Sequence, residues 1–309
     1  MHKVLVTCPP MLKQFKLFED LFKKNNLKPE TVETIQTLKK DEVIKILPKF
    51  DGWILGDDPA DKDVLKSGAE GALKAIVKWG VGTDNVDFHA AKELNLKVKN
   101  TPGIFGEEVS DVAMAYLLGL ARQTYYIDRE VRKGNWPKPA GISLTEKTLG
   151  IVGMGDIGRK LAHKAHAFNL NIICWDPFAT NLPKYIKLEK EWPNGLEACD
   201  FLVFACSLNE NNYHMFSEKV FNHVKKGLNI INVSRGPLID ESFLDKLVED
   251  KILGGIALDV FESEPPDIHN SYFSFSNSAF GSHNGSNTIE GVNNASELAI
   301  KYMGEFLNE

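Results

Sequence analysis

The sequence predicts an α/β protein made of two units, each a doubly wound parallel sheet with helices on both faces. Three observations predict it. Strand-like and helix-like stretches alternate through the first hundred residues and alternate again from residue 148 onward. The second series opens on a glycine-rich turn between a strand and a helix. At 309 residues, the chain exceeds the size at which one hydrophobic core usually keeps growing, so two domains are expected.

In the first series, residues 3–7 read as a strand around Val4, Leu5 and Val6. Residues 13–25 and 41–47 read as helices, 52–55 and 72–79 as strands. A helix at 88–94 and a short strand at 97–99 complete it. Such alternation implies crossover helices on a parallel sheet. Asn100-Thr-Pro-Gly103 is a turn signal that ends the series. Residues 109–122 then form a long, nearly all-apolar helix (Val112, Ala113, Ala115, Leu117, Leu118, Leu120). A helix apolar all round is buried, either between domains or against a second subunit.

The second series begins with the strand 148–152. Gly153, Gly155 and Gly158 follow as G-x-G-x-x-G, and a helix opens with Ile157, Leu161, Ala165 and Phe168 at helical spacing. A strand at 171–175 then runs into Asp176. Each part has a task in holding a dinucleotide. Gly153 permits the tight turn, Gly155 leaves room for pyrophosphate against bare backbone, and Gly158 lets helix and strand pack closely. The amides at the helix start face the phosphates. Asp176 would accept hydrogen bonds from the adenosine ribose and repel a 2′-phosphate, which favours NAD over NADP. The second unit is therefore Rossmann-like. Further strands are expected at 201–205, 229–233 and 255–258, a helix at 241–249, and a closing amphipathic helix at 293–306.

Composition narrows the function. With 43% hydrophobic and 25% charged residues the chain belongs with ordinary globular proteins. No apolar run approaches the ~20 residues needed to span a bilayer. Residues 1–7 lack a signal peptide's apolar region and cleavage site, so a cytoplasmic location is expected. Cys8, Cys174, Cys199 and Cys206 fit no metal-ligand spacing and read as buried thiols, and no metal is expected. The net charge of −6 is spread along the chain without a basic block, which argues against nucleic acid and anionic membranes as partners.

Three polar stretches follow strands of the second half, where open α/β sheets place their ligands. They are Asn232-Val-Ser-Arg-Gly236, Leu258-Asp-Val-Phe-Glu-Ser-Glu-Pro265 and Gly281-Ser-His-Asn-Gly285. An arginine, an acid and a histidine so placed suit hydride transfer coupled to a proton. Histidine is the natural base near neutral pH, and a carboxylate beside it fixes its ring and favours its charged form. Arginine's planar fork suits a 2-oxo-carboxylate. Taken singly, each residue has a plainer reading: a surface cation, a turn residue, the end of a segment.

Together, the motifs resemble the D-isomer-specific 2-hydroxyacid dehydrogenases, in the phosphoglycerate dehydrogenase-like branch. The resemblance covers nearly the whole chain. It runs through Lys78-Trp-Gly-Val-Gly-Thr-Asp-Asn-Val-Asp87, Asn100-Thr-Pro-Gly103, Gly134-Asn-Trp136, the glycine turn with Asp176, Arg235-Gly236, Asp259-Val-Phe-Glu-Ser-Glu-Pro265 and His283. It implies that His283 is the general acid/base, Glu264 its carboxylate partner, and Arg235 the clamp on the substrate carboxylate and C2 oxygen. Asp259 would orient the nicotinamide carboxamide. Asp156, Ile157, Ser207, Val233, Ser234, Arg235 and His283 would line the cofactor, and Val81 and Gly82 would meet the substrate carboxylate, as would Arg235 and His283.

The implied architecture is a substrate domain made of residues 1–99 and 285–309, with an NAD-binding domain of residues 100–284 inserted into it. The active site would lie in the cleft between them, in a homodimer joined through the nucleotide domain. There are departures from the family pattern. Gly281-Ser282 replaces the usual Thr-Pro before the histidine, Asn284 replaces an aliphatic residue, and Ser207 stands where proline is common. Glu264 argues against the similar formate dehydrogenase branch, which carries Gln there.

The substrate side chain is open at this point. Enzymes of the branch that act on phosphoglycerate place basic residues after the strand equivalent to 52–55, but here that turn is Gly56-Asp57-Asp58-Pro59. Two acids would repel a phosphate unless Lys78 or another cation compensates; alternatively they form a solvated turn with no bearing on substrate. The 3-phosphoglycerate pair and an unphosphorylated acid such as glyoxylate or hydroxypyruvate both stand. An NAD(H)-sensing interaction protein on the same scaffold is the reading from another class, disfavoured by the short flanks. A methyltransferase-like nucleotide fold is disfavoured by the glycine spacing and the Arg/Glu/His set.

Overall fold

Two all-parallel sheets carry the fold, in a computed structural model that describes residues 1–32 and 34–309. Through Phe105 the elements are β1 (His2–Val6), α1 (Pro9–Lys13), α2 (Glu19–Lys24), β2 (Leu27–Thr31), α3 (Lys40–Ile46), β3 (Gly52–Leu55), α4 (Lys62–Glu70), β4 (Ala75–Lys78), α5 (Phe88–Glu93) and β5 (Lys97–Asn100). From Gly106 to Gly285 they are α6 (Gly106–Arg122), α7 (Thr124–Arg132), β6 (Thr148–Val152), α8 (Asp156–Ala167), β7 (Asn171–Trp175), β8 (Ile186–Glu189), β9 (Phe201–Phe204), β10 (Leu228–Asn232), α9 (Glu241–Glu249), β11 (Leu253–Leu258) and β12 (Ser278–Phe280). Helix α10 (Ile289–Asn308) closes the chain. Residues 1–105 and 286–309 form one compact unit, and residues 106–285 the other.

In the first unit the sheet order is β2-β1-β3-β4-β5. Strands β1, β3 and β4 lie inside it, and Val4–Val6, Gly52–Leu55 and Ala75–Val77 are buried and apolar because both faces are covered. Helix α10 packs on β3 and β4, and the Trp79 indole N–H donates to Ser296 Oγ at 3.1 Å. In the second unit the order is β12-β11-β10-β9-β6-β7-β8. The chain winds one way from β6 and the other way from β9. The crevice at this reversal, beyond the carboxyl ends of the strands, is where such sheets take ligands.

Several elements differ from the sequence reading, each for a local reason. The helix expected at 13–25 is broken into α1, a 3₁₀ turn at Phe15–Leu17 and α2, with Met11, Phe18 and Phe22 buried. Strands β2 and β8 escaped notice because they are edge strands that each bury a single residue, Leu27 and Ile186. Pro29 fits β2 because an edge strand tolerates a missing amide. Helix α4 also went unread, although Asp61 caps it by accepting from the Asp63 and Val64 amides at 3.0 and 3.1 Å. Helix α7 was missed as well. The apolar helix is α6, and within its own unit it packs against α8, β10 and β11. That packing buries Ala113, Leu117 and Leu120, while Val112 and Leu118 stay half-buried and Ala115 exposed.

Candidate active site

Six loops at the carboxyl edge of the second sheet carry the expected residues. The first follows β6. Gly153 has φ +97°, and a Cβ there would stand 2.7 Å from the Cys206 backbone. A Cβ on Gly158 would collide with the Gly153 carbonyl oxygen. At Gly155 nothing lies within 4 Å of where a Cβ would be, so the turn opens a bare-backbone cradle at the start of α8. Asp156 and Ile157 form the first turn of that helix, whose leading amides have no partner inside it. From the end of β7, Asp176 straps the turn. Its Oδ2 accepts from the Met154 amide at 2.7 Å and its Oδ1 from the Phe178 amide at 2.8 Å. Each carboxylate oxygen keeps a second lone pair for a ribose hydroxyl. This cradle, with a helix start and a carboxylate at its rim, fits a dinucleotide.

The loop after β9 carries Ser207, exposed, with its carbonyl accepting from Asn212 Nδ2 at 2.8 Å. After β10, Val233 is buried. The Ser234 amide donates to Asn232 Oδ1 at 3.1 Å and its hydroxyl donates to the Cys206 carbonyl. Asn232 Nδ2 donates to the Arg235 carbonyl at 2.8 Å, while Arg235 Nη1 donates to the Ser234 carbonyl at 2.9 Å. Arg235 is thus held by its own loop at the strand end. Burial pushes the Cys206 and Cys174 thiols up to about 11 and Cys199 to about 12, which leaves them as small hydrophobes rather than nucleophiles.

After β11 and β12 come the acid and the histidine. His283 Nδ1 lies 2.7 Å from Glu264 Oε2, and Glu264 Oε1 accepts from the Phe261 amide at 3.1 Å. A carboxylate accepts only, so in the neutral ring Nδ1 carries the proton and Nε2 has the lone pair. Both side chains are about four-fifths buried, at 22% and 23% exposure. His283 has φ +54°, a left-handed conformation that costs of order 1–3 kcal/mol for a residue with a side chain. Asp259 holds it there. Its carbonyl accepts from the His283 amide at 2.6 Å, and its buried carboxylate accepts from the amides of Asn284 and Gly285 at 3.2 and 2.8 Å. The residue expected at the carboxamide therefore also braces the histidine loop.

Sequence reasoning missed Tyr116. Its hydroxyl donates to Asp259 Oδ1 at 3.4 Å from the middle of α6. A Cβ on Gly281 would stand 2.5 Å from that hydroxyl and collide with Asp259 Oδ1. Gly281 and Tyr116 thus share one space, which accounts for glycine where the family has threonine. A separate cluster, His214, Asp240 and Glu262, has ligand-type atoms within 4.8 Å of one another. Asp240 caps α9, however, and the Glu262 and Glu241 carboxylates each accept from the other's amide, so both acids have structural partners.

The first unit presents the other expected loop. Gly80 has φ +128°; its amide donates to Thr101 Oγ1 at 2.8 Å, and Asn100 Nδ2 donates to the Val81 carbonyl at 2.9 Å. Val81 is exposed and Gly82 half-buried. The acidic turn before it is neither solvated nor a simple pair of repelling charges. Asp58 is fully buried, accepting from Thr7 Oγ1 at 2.5 Å and from the amides of Leu38 and Gly56 at 2.8 and 3.3 Å. Asp57 pairs with Lys78 at 2.9 Å.

With this geometry in hand, comparison with known sequences is decisive. Residues 114–285 match the family described as D-isomer specific 2-hydroxyacid dehydrogenase, NAD binding domain. The chain belongs to that family. The dehydrogenase is similar to the hydroxypyruvate reductase of Thermotoga maritima, 35% identical over 85% of this chain and 87% of the relative. It is also similar to a D-3-phosphoglycerate dehydrogenase of Methanocaldococcus jannaschii, 29% identical over 99% of this chain and 58% of that one. Among solved structures, a Thermus thermophilus protein superposes with a TM-score of 0.84 at 27% identity, covering 96% of this chain and 94% of the other. The dehydrogenase is an NAD-dependent oxidoreductase acting on a small hydroxy or oxo acid. Among the described residues no helix is long and apolar enough to cross a membrane.

Proposed function

We propose that the enzyme interconverts a short unphosphorylated 2-oxo acid and its D-2-hydroxy acid, with hydroxypyruvate or glyoxylate as the substrate. His283 is the proton donor and acceptor. The observation that carries this reading is the 2.7 Å contact between His283 Nδ1 and Glu264 Oε2, at the end of strands whose neighbours build a dinucleotide cradle. Gly153, Gly155 and Gly158 would admit the pyrophosphate and Asp176 would hold the ribose. When bound, NADH supplies a hydride to the oxo carbon. In that direction His283 Nε2 gives a proton to the C2 oxygen, and in the reverse direction it takes the proton back. Glu264 fixes the ring and stabilises its charged form, while Arg235 binds the carboxylate and polarises the oxygen. Val81 and Gly82 are assigned to the substrate carboxylate. The reading includes a cytoplasmic protein with free thiols, and residues 1–99 with 285–309 as the substrate domain.

A homodimer joined through the nucleotide-binding unit belongs to this proposal. Its support is the exposed apolar surface at Val131 on α7 and at Trp136 and Ile142 beyond it.

His283→Ala tests the proton-transfer role. The variant should lose turnover by about 10²–10⁴-fold, the usual worth of a general acid or base. NADH affinity, read by fluorescence titration, should stay within about threefold, a difference well under 1 kcal/mol. A variant with wild-type kcat would remove His283 from the chemistry.

A further inference from the structure

Tyr116 lies in the middle of α6, buried, with its hydroxyl 3.4 Å from Asp259 Oδ1. Its ring packs against that of Tyr125 at 6.3 Å between centroids, and Gly119 makes room for Tyr125 by lacking a Cβ. Gly281 does the same for the hydroxyl: a Cβ there would stand 2.5 Å from it and collide with Asp259 Oδ1. The helix is also tied to the strand that leads into the histidine loop. Asn277 Nδ2 donates to the Leu120 carbonyl at 3.2 Å, and Arg129 on α7 donates to the Ser276 and Ser278 carbonyls at 2.6 and 2.8 Å. Burial, and after it the charge on Asp259, push the Tyr116 phenol well above its ordinary 10.0, so the hydroxyl keeps its proton and donates.

We propose that Tyr116 is a positioning residue for proton transfer at His283, acting through Asp259 from the space that Gly281 leaves open. This rests on the reading of His283 as the proton donor and acceptor. Asp259 is the link. Its carbonyl accepts from the His283 amide and its carboxylate from the amides of Asn284 and Gly285. The main chain of Asp259 is fixed at the end of β11, but its carboxylate can turn about the side-chain bonds. The amides of Asn284 and Gly285 move with the histidine loop and cannot set that turn by themselves. Tyr116 can, since its hydroxyl comes from a helix packed on β10 and β11. A buried carboxylate settles where its donors meet it. With the carboxylate set, His283 keeps the φ of +54° at which its Nδ1 lies 2.7 Å from Glu264 Oε2.

The test compares Tyr116→Phe, Gly281→Ala and the double variant with the wild-type chain, in NADH-dependent reduction of hydroxypyruvate and glyoxylate across pH. Tyr116→Phe keeps the ring and loses only the hydroxyl. It should lower kcat about three- to tenfold, the worth of one modest hydrogen bond. It should also move the fall of kcat/KM that marks loss of the His283 proton to lower pH, by about 0.5. A ring less firmly set against Glu264 loses part of what favours its charged form. A change confined to stability would scale the rate and leave that midpoint in place. Gly281→Ala displaces the same carboxylate by steric contact and should lower kcat about tenfold or more. The double variant should be no worse than Gly281→Ala alone, because both changes break one brace. A folded Tyr116→Phe variant with wild-type kcat or an unmoved midpoint would overturn the proposal. So would a Gly281→Ala variant with wild-type kcat, or losses that multiply in the double variant. A wild-type enzyme that binds NADH and reduces neither acid, or a His283→Ala variant with wild-type kcat, would instead remove the reading on which the proposal rests.

Discussion

His283 shows how closely one residue's surroundings can fix its geometry. Its ring is oriented by Glu264 and its strained backbone is held by Asp259, whose carboxylate is in turn braced by Tyr116. The histidine, the acid and the arginine stood out in the sequence because they lie in polar stretches of the second half, where open α/β sheets place their ligands. Tyr116 was not legible. It lies 143 positions from Asp259 and looks like one more core residue of an apolar helix. The only trace it left was glycine at 281, whose missing Cβ makes room for it. Asp176 carries a prediction at this scale. It closes the glycine turn through Met154 and Phe178, and it is also the charge a 2′-phosphate would meet. Asp176→Ala should weaken NADH binding and shift the NADH/NADPH affinity ratio toward NADPH by about tenfold or more, as expected when a charge repulsion is lifted. An unchanged ratio in fluorescence titrations would refute its part in cofactor choice.

At the scale of elements, legibility followed burial. The inner strands β3, β6 and β9 bury nearly every residue and read as apolar runs. The edge strands β2 and β8 bury one residue each and carried no such signal. The turn after β3 was misread for a different reason: sequence cannot tell a solvated aspartate from one buried against donors far along the chain. Thr7 is 51 positions from Asp58 and Leu38 is 20. The buried chain runs from the Trp53 indole N–H to Thr7 Oγ1 and from that hydroxyl to Asp58, tying β1 to β3. Replacing the acceptor oxygen in Asp58→Asn sets an amide NH₂ against these donors and should cost about 1–3 kcal/mol. Burial raises the Asp58 carboxyl above its ordinary 3.8, so the folded chain holds this proton more tightly than the unfolded chain does. Stability from this group is then greatest at low pH and is lost as pH rises through the raised folded value. The advantage of wild type over Asp58→Asn in urea unfolding should therefore shrink as pH rises above the ordinary carboxylate value. An advantage that grows with pH would contradict the buried, raised carboxyl.

On the scale of the whole molecule, two parallel sheets make two units. The second carries the glycine turn, the acid–histidine pair and Arg235; the first carries the loop of Val81 and Gly82. The sequence revealed this division through its repeated alternation of strand and helix. It did not reveal which apolar surface stays uncovered, because an apolar helix such as α6 reads alike whether its faces meet its own unit or a partner. Trp136 is the more informative residue, since a tryptophan 79% exposed is costly to leave in water. Sedimentation should give a mass of two 34.5 kDa chains, reduced toward one by Trp136→Glu. A single-chain mass for the wild-type protein would end the dimer proposal.

The central claim is that this chain transfers hydride between NADH and a short 2-oxo acid. The most direct measurement is NADH oxidation, followed by absorbance, against glyoxylate, hydroxypyruvate, pyruvate, 2-oxoglutarate and 3-phosphohydroxypyruvate. The account predicts rapid oxidation with glyoxylate or hydroxypyruvate and much slower oxidation with the phosphorylated acid. Silence across the whole panel from a protein that still binds NADH would contradict it.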